Sequence, residues 1–202
     1  LVEANPVLVG ETPPAPREGS LLPETYSFTR GATRKEIVSD MKEAARTLMD
    51  EIWEDRAKDL PFDTREEAVI LASIVEKETG VASERPRVAA VFVNRLNVPM
   101  RLQSDPTIIY GLVGGKGALG RPIRRSELDR QTPYNTYLVD GLPPTPICNP
   151  GKASLEAVLN PPETDEFYFV ADGTGGHAFS RTLREHQERV REWRQIERQK
   201  DK

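Results

Sequence analysis

Cysteine is nearly missing from this sequence, with Cys148 alone in 202 residues. A lone cysteine cannot build an intramolecular disulfide framework or a multi-cysteine zinc site. Histidine is almost as scarce: only His177 and His186 occur, without the HExxH spacing of a zinc helix. Basic charge is not in excess either. The 28 Lys and Arg stand against 32 Asp and Glu, a net charge of −4 that lacks the footprint nucleic-acid binding needs. No apolar run approaches the roughly 18 residues of a bilayer span, so the chain, which begins at Leu1, reads as soluble and globular. G-x-S-x-G and GxxxxGK[ST] are also absent, which removes the simplest serine-hydrolase and phosphate-loop readings.

What is present is enough for a core. With 37% apolar and 30% charged residues, the chain can form one domain, with or without an arm. Prolines 6, 13, 14, 16 and 23 predict an extended, poorly packed arm or linker over 1–23, and the domain over 24–202. Thr33 with Glu36 has capping-box spacing and opens a helix predicted over about 34–58. Thr64 with Glu67 opens a second, which Gly80 would end in a left-handed conformation. Ser83 would cap a third helix, packed against the second through Val88, Val91, Phe92 and Leu96. Met100 and Leu102 alternate like a short strand, and Asp105-Pro106 reads as an N-cap with proline at N1. Residues 113–151 are mostly Gly- and Pro-rich loop, with a helical turn at 126–128. A helix over 153–159, a hairpin over 167–180 and a charged helix from about 182 to 200 complete a helix-rich α+β fold.

The second helix ends in ASIVEKETG, with two glutamates whose fates differ. At about 100° per residue, Glu76 and Glu78 point roughly 160° apart, and Glu78 lies near −20° from Leu71, between Ile74 and Val75. Glu78 therefore faces inward. An inward carboxyl in the last turn of a helix is disfavoured as an anion, so its pKa is pushed up, as a general acid needs. A structural hydrogen bond or ion pair satisfies the same pattern, and Glu76 reads as exposed or structural.

Several motifs in order carry a resemblance: ILASIVEKETGVASERPRVAAVFVNRL, MRLQSDPTIIYGL, TPYNTYLVDGLPPTPICNPG and FYFVADGTGGHAFSRTLREH. From about Leu22 to the final helix the chain resembles the catalytic domain of the endolytic murein transglycosylases, the YceG-like family. The resemblance implies Glu78 as catalytic residue. It implies a lyase that cuts peptidoglycan strands between N-acetylmuramic acid and N-acetylglucosamine, leaving 1,6-anhydro ends, without metal or organic cofactor. It also implies an extracytoplasmic or periplasmic catalytic domain on a single-pass inner-membrane protein, with a membrane anchor and a LysM-like part outside this chain, and peptidoglycan synthases as candidate partners.

Within the matching motifs, Gln103 and Ser104 are candidate substrate contacts, the Gln103 amide offering both donors and an acceptor. Asp105 reads as a helix cap. Tyr134, Asn135 and Tyr137 combine apolar faces with polar groups, with loop anchoring as the alternative. GLPPTPICNPG would shape a cleft wall, in which Asn149 bonds either glycan or its own loop, and Cys148 packs as a small side chain. His177 follows the Gly-rich turn and reads as a substrate contact or a hairpin hydrogen bond, and His186 as structural or exposed. Two rivals stay open: a lysozyme-like hydrolase with Asp105 or Glu76 as second carboxylate, and a non-catalytic glycan-binding scaffold.

Overall fold

A computed structural model describes residues 2–200. Among them, α1 (Arg34–Trp53), α2 (Arg65–Glu78), α3 (Arg85–Leu96), α4 (Asp105–Val113), α5 (Arg125–Leu128) and α6 (Lys152–Leu159) precede a hairpin of β1 (Tyr168–Ala171) and β2 (His177–Ser180), and α7 (Leu183–Lys200) follows. The hairpin is antiparallel, with Tyr168 opposite Ser180 and Ala171 opposite His177. This is the helix-rich α+β fold expected. No helix among the described residues is long and apolar enough to cross a membrane.

Helix α2 is the centre. Seven of its residues are buried, Ala68 and Ile70 to Val75 without a break, because α3, α4 and α6 all pack against it. Leu71, Ile74 and Val75 meet Val88 and Phe92 of α3 and Val158 and Leu159 of α6 in one apolar cluster. Both expected capping boxes form, Thr33 with Glu36 and Thr64 with Glu67, each satisfying donors that a helix start leaves unpaired.

Several boundaries differ from the sequence reading. Helix α1 stops at Trp53 rather than near 58, since the Ala57 amide, which would have continued the ladder, donates instead to the Leu159 carbonyl at 2.9 Å. Helix α2 ends not through a left-handed Gly80 but through Thr79 turning to extended backbone at φ −136°. Glu84, not Ser83, occupies the cap position of α3 and makes no side-chain cap there. Met100 and Leu102 form no strand; Leu102 is buried and the run is irregular, held by Arg95 on the Leu102 carbonyl and by the Gln103 amide on the Thr136 carbonyl. Ser104, not Asp105, stands at the cap position of α4, which leaves the Asp105 carboxylate free to accept a bond from elsewhere.

The Pro-rich segment has no regular element, yet it is packed. Leu8 and Leu22 are 4% and 8% exposed, Val9 bridges Thr33, and Arg34 donates to the carbonyls of Leu8, Gly10 and Asn5. Gly19 lies so close to Val69 and Pro146 that a Cβ would come within 2.8 Å and 2.6 Å of them. The GLPPTPICNPG loop is tied to α2, the Ile147 amide donating to the buried Ser73 hydroxyl at 3.0 Å. It forms no wall of the cleft described below, because Ser73 faces away from it. Cys148 packs as expected, its thiol donating to the Ser73 carbonyl, and burial pushes it up to about 12.

Candidate active site

The two glutamates of ASIVEKETG go to opposite places. Glu76 accepts from the Gly151 amide at 3.1 Å and the Ser154 hydroxyl at 2.5 Å, so it serves as the N-terminal cap that α6 lacks in its own sequence. Glu78, the last residue of α2, lines a cleft of about 440 Å³. Its neighbours come from five other places in the chain: Arg95 of α3, Gln103 and Asp105 around the start of α4, Tyr137 of a loop, Tyr168 and His177 of the hairpin, and His186 of α7.

Glu78 Oε1 accepts from Ser104 Oγ at 2.5 Å. Ser104 is itself held by a buried hydroxyl network: its amide donates to Thr136 Oγ1 at 2.9 Å, and Thr107 Oγ1 bonds both the Ser104 carbonyl and Thr136 Oγ1. Burial raises Glu78 to about 7, and the nearby Asp105 carboxylate adds to the rise. The Ser104 bond, His177 and Arg95 oppose it by favouring the anion. The carboxyl is therefore poised between acid and base near neutral pH. Replacing Ser104 by alanine removes a bond to the charged form, worth about 1.5–3 kcal/mol. The Ser104→Ala variant is expected to move the alkaline limb of a kcat/KM pH profile upward by about one unit or more.

The remaining groups are oriented by the fold. Arg95 is 6% exposed; its Nε donates to the Phe167 carbonyl at 2.7 Å and Nη1 to the Leu102 carbonyl at 2.5 Å, with the guanidinium over the Tyr168 ring. Tyr137 donates its hydroxyl to Asp105 at 2.6 Å, and burial, then Asp105, push that phenol up. His177 is gripped twice by Glu84, through its amide and through Nδ1, both at 2.8 Å. Although burial opposes it, the His177 bonds hold Glu84 below the usual carboxylate range, so Glu84 is an anion that fixes the imidazole's orientation. His186 stacks on Tyr168, and burial and then Arg95 hold it below the ordinary histidine value. Gln103 is exposed at φ +50°, a left-handed conformation uncommon for a side-chain-bearing residue and one that recurs at ligand sites.

Of the candidates from sequence, Glu78, Gln103, Ser104, Tyr137 and His177 come together. Three do not. Tyr134 bonds Thr145 and packs against Tyr110 outside the cleft. Asn135, 1% exposed, anchors its loop through the Leu128 and Arg130 carbonyls. Asn149 accepts from the Leu21 amide at 3.0 Å, joining its loop to the N-terminal segment rather than to its own backbone. Arg95, Glu84, Tyr168, Thr107 and Thr136 were missed. Arg95 left a signal, since it falls seven residues after Val88 and three after Phe92 on the buried stripe of α3. The others sit in loops or pair across the fold, where periodicity has nothing to say.

Comparison with known proteins places the chain in a family. The model of the YceG-like family matches residues 3–192, beginning earlier than the motifs alone indicate. The chain is 36% identical over 172 residues to the endolytic murein transglycosylase of Bacillus subtilis, covering 85% of this chain and 46% of that protein. It is 34% identical over 168 residues to the protein of the same name from Streptococcus pneumoniae, covering 80% and 29%. The crystal structure of a yceG-like protein from Listeria monocytogenes superposes with a TM-score of 0.70 at 36% identity, over 89% of this chain and 57% of that one. The chain thus spans less than half the length of these curated relatives. With the family model matched over nearly its whole length and relatives above one-third identity, this chain belongs to the YceG-like family.

Proposed function

We propose that this domain is the catalytic part of a peptidoglycan lytic transglycosylase and that Glu78 is its acid and then its base. The observation that carries the reading is the Glu78 carboxyl at the end of α2, lining the cleft and raised to about 7 by burial. Protonated Glu78 gives its proton to the glycosidic oxygen leaving C1 of N-acetylmuramic acid. The C6 hydroxyl of the same sugar then closes on C1, and the Glu78 carboxylate takes its proton. One bond breaks, one forms, and Glu78 returns to its starting state without water. Gln103 and His177 are placed to hold sugar hydroxyls or N-acetyl groups. Peptidoglycan as substrate puts the domain outside the cytoplasmic membrane, with anchoring and synthase contacts made by other parts of the protein.

A hydrolase reading has one observation in its favour, the Asp105 carboxylate on the same cleft. Glu76 cannot serve as the second group, being engaged with α6. Asp105 Oδ1 accepts from the Tyr137 hydroxyl, which orients that carboxylate, and product chemistry separates the two readings. Mass analysis of products from purified glycan strands decides the matter. Lyase cleavage gives 1,6-anhydro ends; products one water heavier would overturn it in favour of the hydrolase, and no turnover by the full-length protein would favour a scaffold.

A further inference from the structure

The cleft does not end at Glu78. A second lobe of about 390 Å³ lies beside it and shares Glu78, Ala171 and His177 with the first, so Glu78 lines both. This lobe is built differently. In place of Arg95, Asp105 and Tyr137 it has Gly80, the glycine-rich turn at Gly173, Gly175 and Gly176, and Trp193 of α7.

Two of the glycines are required by close packing. A Cβ on Gly173 would come within 3.0 Å of Ile196, and one on Gly176 within 2.5 Å of the Glu84 carboxylate that grips His177. The turn that borders the lobe therefore packs directly on α7 and on Glu84. Trp193 is half-buried: one edge packs on Gly173 and the ring also lines the lobe. An indole ring lining a lobe beside a glycine-rich turn suits a ligand with a flat array of C–H groups ringed by hydroxyls or acetamides, which is a pyranose. Trp193 also lies one residue past the span matched by the family model.

We propose that this lobe is a sugar subsite, in which Trp193 stacks on the N-acetylhexosamine flanking the scissile bond on the side away from Arg95 and Tyr137. The proposal rests on the peptidoglycan reading and adds to it where the strand runs. It gives each sugar flanking the bond being cut a lobe of its own beside Glu78.

The test uses binding rather than turnover, with the Glu78→Gln protein titrated with uncrosslinked oligosaccharides of alternating N-acetylglucosamine and N-acetylmuramic acid. Saturable change in tryptophan emission is expected, lost in Glu78→Gln/Trp193→Phe while calorimetry still detects binding. Trp193→Ala weakens binding about tenfold. Because Trp193 also supports α7, Gly80→Leu is the second variant: Gly80 has no left-handed strain and its Cβ would enter open space, so leucine fills the lobe without disturbing the fold. It too is expected to weaken binding about tenfold or more. Unchanged emission together with unchanged affinity in Trp193→Ala and Gly80→Leu would overturn the subsite alone. Absence of any oligosaccharide binding would overturn the peptidoglycan reading and the subsite with it.

Discussion

Glu78→Gln is expected to lower kcat/KM by about 10³-fold or more while making the protein more stable above neutral pH. The loss of activity follows because the amide keeps the shape and can still accept from Ser104, but can neither give nor take a proton. The gain in stability follows from linkage. Glu78 is raised from 4.5 to about 7, so between those values the folded chain holds a proton that the unfolded chain has released. Stability contributed by the neutral carboxyl is complete below about 4.5 and is lost as pH rises through 7. At pH 8 the loss is on the order of 3 kcal/mol, which glutamine does not suffer. Thermal unfolding of the two proteins should coincide near pH 4 and diverge by about 5–10 °C at pH 8, the variant being higher. Equal melting temperatures across that range would show that Glu78 is not held neutral by the fold, and with it the acid role would go.

Arg95→Met should be the most damaging change outside the reacting carboxyl, costing about 2–5 kcal/mol by denaturant unfolding. The guanidinium satisfies two carbonyls that have no other partner at hand, Phe167 leading into the hairpin and Leu102 before Gln103 and Ser104. Methionine restores the volume and leaves both acceptors unpaired. Lysine is expected to rescue little, because one ammonium cannot match the fork that reaches two diverging oxygens. Activity should also fall, since the irregular segment carrying Ser104 is released from α3. Arg95 favours the Glu78 anion, so any surviving activity should show its alkaline limb moved to higher pH. Wild-type stability in the methionine variant would mean that water replaces the guanidinium, and the coupling argued here would fail.

Much of this architecture was written in local patterns. Capping boxes at Thr33 and Thr64, the proline in the first turn of α3 and the Gly-rich turn of the hairpin each rest on interactions within a few residues, and each formed. The inward face of Glu78 was legible for the same reason: helical phase is a local property, and the neighbours Leu71, Ile74 and Val75 are buried while Glu78 is half-buried at the cleft. Phase could separate Glu76 from Glu78 but could not say what Glu76 meets. That answer, the start of α6, lies some 75 residues away.

The sequence by itself determined the order of the helices, the hairpin and which glutamate turns inward, because periodicity, capping and turn chemistry are short-range. Only the tertiary structure decided the chemistry around that glutamate. Asp105 looked like a cap and became the partner of Tyr137; Asn149 was a candidate for glycan or its own loop and ties down Leu21; Arg95, which drew no reading from sequence, bridges two loops. Each of these is a buried or part-buried polar group whose cost must be met by a partner, and partners distant in sequence are chosen by how the packed elements bring them together.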